Sequence, residues 1–193
     1  MDTKTEPIHL QATSEPAVSS VEDILSIAVS LGGRDVAGWT SVEEALVKDL
    51  PRPSDVLIDD IRARIRKGED PLGSSYCMRT SPADRRGRGA TYTPAPIVKA
   101  MLDWASSSTA PERVVDPGTG SGRFIVEAGR RFERAELVGI ELDPIAAVLA
   151  RGHLSAAGLA GRSRILFGDY RSVSIPRIRG RTLYIGNPPY LRH

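Results

Sequence analysis

From Arg113 onward, short apolar runs and helical stretches take turns, and this alternation limits the fold more than any other feature of the chain. Residues 113–115, 137–142, 164–167 and 183–185 read as strands. Between them, 123–132 and 144–157 carry apolar residues at helical spacing. Another helix runs through Ile97, Val98, Met101, Leu102 and Trp104, opened by Pro94 or Pro96 in its first turn. Strands separated by helices do not pair as hairpins. They line up in parallel under right-handed crossovers, so the class is α/β with about four strands in the sheet.

The stretch before this region is different. Residues 1–20, rich in Ser, Thr, Glu and Pro, predict a flexible tail. Residues 21–90 predict a helical extension followed by a basic loop. Ser20 caps a helix over 21–31 that Gly32-Gly33 ends. Ser41 with Glu44 forms a capping box for 42–50, and Ser54 caps 55–67, with Val56, Leu57, Ile61 and Ile65 as its stripe. Residues 68–90 read as loop carrying Arg85, Arg86 and Arg88, a solvated cluster rather than a phosphate contact.

Composition excludes more than it proposes. A net charge of +2 does not call for a nucleic-acid partner. The single cysteine, Cys77, permits neither an internal disulfide nor a multi-cysteine zinc site. No run approaches the ~18 apolar residues of a membrane span, and the N-terminus lacks a signal pattern. The expected location is the cytoplasm, with no membrane partner.

Two motifs carry chemistry. Asp116-Pro117-Gly118-Thr119-Gly120-Ser121-Gly122 lies between the first strand and its helix, where glycines let backbone approach a ligand. It lacks the Gly-Lys-Ser/Thr of a phosphate loop, and its glycine spacing departs from the dinucleotide fingerprint. An acidic residue two before the first glycine suits a cationic ligand. Glu141, at the end of the second strand, is placed to accept both hydroxyls of a ribose. Asp143, before Pro144, reads as a helix N-cap. Asp169 ends the third strand and can accept from an adenine amine. The second motif is Asn187-Pro188-Pro189-Tyr190, after the last strand. Its prolines hold the turn rigid and push Asn187 out of the helical region. The Asn187 side-chain oxygen and the Pro188 carbonyl become acceptors for an amino group on a planar system, and Tyr190 offers a stacking face. His9, His153 and His193 show no ligand spacing and receive no role.

Taken in order, Thr91-Tyr92-Thr93-Pro94, Asp116–Gly122, Glu141, Asp169 and Asn187–Tyr190 resemble S-adenosylmethionine-dependent DNA methyltransferases that modify the adenine amino group, of the restriction–modification type. The resemblance covers 68–193, including Gly68-Glu69-Asp70-Pro71-Leu72-Gly73. It implies a Rossmann-like class I methyltransferase fold, partial over 91–193. It implies that Tyr92, Thr93 and Pro94 border the methionine end of the cofactor, and that Asp116, Gly118, Gly120 and Gly122 shape the floor. Glu141 would hold the ribose, Leu142 would lie against the cofactor adenine, and Asp169 with Tyr170 would read its edge. Asn187, Pro188, Pro189 and Tyr190 would be catalytic, acting on a flipped adenine of double-stranded DNA. Such an enzyme needs more strands after this motif, so the expected partner is a C-terminal methyltransferase half or a specificity subunit. The expected activity is adenine-N6 methylation in restriction–modification or phage defence. Transfer to the glutamine amide of release factors, transfer to a guanine amine of ribosomal RNA, and an inactive remnant are the alternatives.

Overall fold

The computed structural model describes residues 20–79 and 93–187. Four strands, β1 (Arg113–Asp116), β2 (Glu136–Glu141), β3 (Ser163–Phe167) and β4 (Thr182–Tyr184), form one parallel sheet in the order β3-β2-β1-β4. Val114 of β1 sits opposite Leu137 on one side and Leu183 on the other. Successive strand residues point to opposite faces. Val114, Leu137 and Ile165 therefore join the main core, while Val115, Val138 and Ile140 pack beneath Val173 and Ile175.

Helix α6 (Arg123–Arg131) joins β1 to β2, and α7 (Pro144–Ala156) joins β2 to β3. The chain then crosses through 168–181 to the far side of β1. Strand order thus reverses beside β1, the position at which open parallel sheets form a ligand crevice outside the carboxyl ends of their strands. Helix α5 (Ala95–Ser108) places Val98, Leu102 and Ala105 in the same core as Phe124, Ile125 and Ala128 of α6.

Before the sheet come α1 (Val21–Ser30), α2 (Ser41–Val47), α3 (Asp55–Arg66) and α4 (Pro71–Arg79). They pack on α7, which is buried continuously from Ala146 to Leu154. Ala147, Ala150 and Leu154 of α7 face the sheet, and Val148, Leu149 and Ala156 face α1, α3 and α4. Small residues permit the approach. A side chain at Gly152 would put its Cβ 2.7 Å from the Ala28 Cα of α1.

Two local expectations are corrected. The capping box belongs to Thr40 and Glu43, not Ser41 and Glu44: the Thr40 hydroxyl accepts from Glu43 N at 3.3 Å, and the Glu43 carboxylate accepts from Thr40 N at 2.9 Å. Tertiary contacts decide the register, because Glu43 turns inward to Arg151 while Glu44 turns outward to Arg34 and Trp39. The loop expected over 68–90 contains α4. Asp70 caps it through Gly73 N at 2.7 Å, Pro71 opens it, and Leu72 and Tyr76 pack with Ile24, Ile61 and Ile65. The basic cluster Arg85, Arg86 and Arg88 lies outside the described residues.

Candidate active site

The glycine-rich turn after β1 is clamped by a different carboxylate at each of three consecutive residues. The Thr119 hydroxyl donates to Asp116 at 3.2 Å, Gly120 N donates to Glu141 at 2.7 Å, and the Ser121 hydroxyl donates to Asp70 at 2.9 Å. Gly120 and Gly122 have positive φ, 54° and 95°. Among the described residues, a Cβ on Gly120 would meet nothing within 4 Å, so the turn is open to them on that side. Gly122 is closed: its Cβ would lie 2.9 Å from the Ala150 Cα. Gly122→Ala is expected to cost about 2–4 kcal/mol, combining left-handed strain with overpacking. Urea denaturation measures it, and a loss under about 0.5 kcal/mol would contradict the packing described.

Asp116 is the last residue of β1, directly before this turn. It is buried, and among the described residues its Oδ1 has no hydrogen-bond partner. A Cβ on Gly186 would fall 2.2 Å from that Oδ1, so only glycine lets the chain before Asn187 pass so near. Burial pushes the Asp116 carboxyl up to about 7, opposed by the Thr119 hydrogen bond and reinforced by the Glu141 charge.

Glu141 accepts from Gly120 N through Oε2, and from Leu142 N at 2.9 Å and Asp143 N at 2.8 Å through Oε1. Burial raises its pKa against those hydrogen bonds. Three of roughly four acceptor sites are occupied, so accepting both hydroxyls of a ribose requires one N–H to be handed over. Leu142 beside it is 65% exposed, an apolar surface at the rim. Asp143 caps α7 through Ile145 N, as expected, and its other oxygen accepts from the Tyr76 hydroxyl at 2.7 Å.

Asp169 follows β3 at the same edge, with Tyr170 exposed beside it. Its carboxylate binds the backbone and side chain of Arg171, which holds its pKa down at about 2. An adenine amine would therefore share Asp169 with Arg171. Asn187 follows β4, and its Nδ2 donates to the Thr93 hydroxyl at 3.1 Å, bridging the two ends of the motif series. Tyr92, Pro188, Pro189 and Tyr190 lie outside the described residues.

Sequence reasoning missed Asp70 and His153. Asp70 is buried and also meets His153 Nε2 at 3.0 Å and Arg123 Nε at 3.4 Å. Burial pushes its carboxyl up, but His153, Ser121 and Gly73 outweigh that and hold it near 2. The signal available was Asp70-Pro71, a cap followed by a helix-opening proline.

The family model for N-6 DNA methylases matches residues 69–191, from the Asp70 cap through the Asn187 motif. The chain belongs to the N-6 DNA methylase family. It is 40% identical over 183 residues to the type II methyltransferase M.XamI of Xanthomonas campestris pv. amaranthicola, covering 92% of this chain and 34% of that protein. It is 37% identical over 106 residues to the release factor glutamine methyltransferase of Nitratidesulfovibrio vulgaris, covering 53% of this chain and 35% of that protein. This N-6 DNA methylase family member thus spans about a third of the length of these curated relatives. A class I S-adenosylmethionine-dependent methyltransferase structure from Listeria monocytogenes matches 81% of the chain and 48% of its own, with TM-score 0.54 at 14% identity. That likeness supports the expected class I fold. Among the described residues, no helix is long and apolar enough to cross a membrane.

Proposed function

We propose that this chain forms the cofactor-binding part of a methyltransferase that moves a methyl group from S-adenosylmethionine to N6 of adenine in DNA, in the cytoplasm. The observation that carries the reading is the convergence of Asn187, Thr93 and buried Asp116 at the strand-order reversal. The residues fit the cofactor. An orphaned, buried carboxyl oxygen on Asp116 suits a cationic ligand, the open side of Gly120 leaves room, and Glu141 with Leu142 offers an acceptor beside an apolar face. Bound there, the cofactor supplies a methyl activated by its positive sulfur.

The chain's own part is alignment. With Nδ2 committed to Thr93, the Asn187 amide presents Oδ1 as an acceptor. Accepting a hydrogen from the adenine amine draws its delocalised lone pair into line with the methyl and stabilises the charge arriving on nitrogen. The Pro188 carbonyl would hold the second hydrogen, and Tyr190 would stack on the base, returning roughly 1–3 kcal/mol of the flipping cost. This aligned nitrogen would take the methyl with the neutral thioether as leaving group, and the surplus proton would then pass from nitrogen to water. The match to M.XamI extends through α1–α4, whereas the release factor enzyme matches only about half of the chain. This favours DNA over a glutamine amide as acceptor.

In the full-length protein, Asn187→Ala is expected to lower methyl incorporation into duplex DNA by about 10²–10³-fold, the scale of losing one positioned transition-state contact, while leaving cofactor affinity within about threefold. Radiolabelled methyl transfer to adenine-containing duplexes, to release factor and to ribosomal RNA measures it. Transfer to either of the last two alone would replace the proposed substrate.

A further inference from the structure

We propose that Asp70 is a positioning residue for the cofactor turn, one buried carboxylate through which the N-terminal helices set the shape of the loop beneath the cofactor. The proposal rests on reading the glycine turn as the cofactor's floor. An N-cap needs a single oxygen, and Oδ1 of Asp70 serves that purpose at Gly73 N. Oδ2 is directed elsewhere, to the Ser121 hydroxyl at 2.9 Å and Arg123 Nε at 3.4 Å. Ser121 stands between Gly120 and Gly122, both with positive φ, so its side chain is the only one available to anchor that part of the turn. Its neighbour Gly120 donates to Glu141, so fixing Ser121 also fixes the N–H that occupies the expected ribose acceptor.

The surroundings are shaped for this contact. A Cβ on Gly73 would lie 2.3 Å from Ser121 Oγ and 2.5 Å from Asp70 Oδ2, so glycine in the first turn of α4 leaves the space the contact fills. One turn further along α4, the Tyr76 hydroxyl reaches Asp143 at the end of β2. Helix α4 therefore grips the turns after both β1 and β2, the two walls of the crevice. His153 of α7, its Nε2 3.0 Å from Asp70 Oδ1 and its Nδ1 3.2 Å from Leu149 O, backs the carboxylate from the third side. Holding the turn before the ligand arrives reduces the ordering cost of binding.

Isothermal titration of S-adenosylhomocysteine into the full-length protein tests this with Ser121→Ala, Asp70→Asn and the double variant. Asn at 70 retains an oxygen for the cap. Each single variant is expected to weaken binding about tenfold, with the double no weaker than the worse single, because both break one contact. Wild-type binding together with unchanged affinity in Ser121→Ala would overturn the proposal and leave the cofactor reading intact. So would losses that multiply in the double variant. Absence of binding by the wild type would overturn the cofactor reading itself, and the positioning role with it. Should Asp70→Asn not fold, Ser121→Ala, which leaves the cap untouched, decides alone.

Discussion

Replacing Arg151 with methionine is expected to destabilise the chain by about 3–5 kcal/mol, the cost of leaving a buried charge without its partner. Arg151 and Glu43 are both fully buried. The guanidinium donates to Glu43 through Nε at 2.6 Å and to the carbonyls of Val36, Ala37, Gly38 and Ile165, and it lies 5.5 Å from the Trp39 ring. Methionine matches the stem but leaves the buried Glu43 carboxylate with only its Thr40 hydrogen bonds and no ion partner, and withdraws a donor from four carbonyls, of which Ala37 O keeps Ile165 N. Against a typical stability of about 5–15 kcal/mol, that loss is a large fraction. Removing both charges in Arg151→Met/Glu43→Leu should recover part of it, since no buried ion remains. Urea denaturation of the three proteins reads this. A single-variant loss below about 1 kcal/mol would refute the role given to the pair.

The second large effect concerns Asp116 and pH. Its folded pKa is raised from 3.8 to about 7, chiefly by burial. A raised carboxyl pKa means that the folded state holds its proton where the unfolded chain has released it. The associated stability is complete below about 3.8 and is lost as pH rises through about 7. Some three pKa units correspond to about 4 kcal/mol. Asp116→Asn, which cannot ionise, should therefore make the ligand-free protein more stable than wild type at pH 8, by up to that amount, and flatten stability between pH 4 and 7. Binding should move the other way. A cationic cofactor favours the carboxylate, so uptake by wild type below pH 7 should release a proton, and Asp116→Asn should bind at least tenfold more weakly. Melting curves against pH, with titrations in two buffers of different ionisation enthalpy, measure both. Identical pH profiles for variant and wild type would refute the assignment.

The strands were legible because their apolar runs are short, separated by helices and flanked by turn residues. Each observed strand lies within about one residue of its sequence assignment, with 137–142 shifting to Glu136–Glu141. Asp143 was legible as a cap because capping is local, a carboxylate two residues from the N–H it accepts. Helix α4 was missed because Pro71, Gly73, Ser74 and Ser75 have poor helix propensity. Its stability comes from the Asp70 cap and from Leu72 and Tyr76 packing on helices far away in sequence. The capping register at Thr40 was missed for a related reason. Two acidic residues stood at adjacent positions, and only the buried arginine decides which turns inward.

What the chain's sequence determined alone is the set of groups delivered to the carboxyl edge of a parallel sheet. Strand ends, glycine turns and caps are specified within a few residues of each other. Tertiary structure decided which of those groups are already occupied by distant parts of the chain: Glu141 by Gly120 N, Ser121 by Asp70 and the Asn187 amide by Thr93, while among the described residues one oxygen of Asp116 has no hydrogen-bond partner. Occupancy depends on partners 21 to 94 residues apart in the chain, brought together only by folding. No local pattern encodes that distance, because burial and pairing are properties of the assembled core.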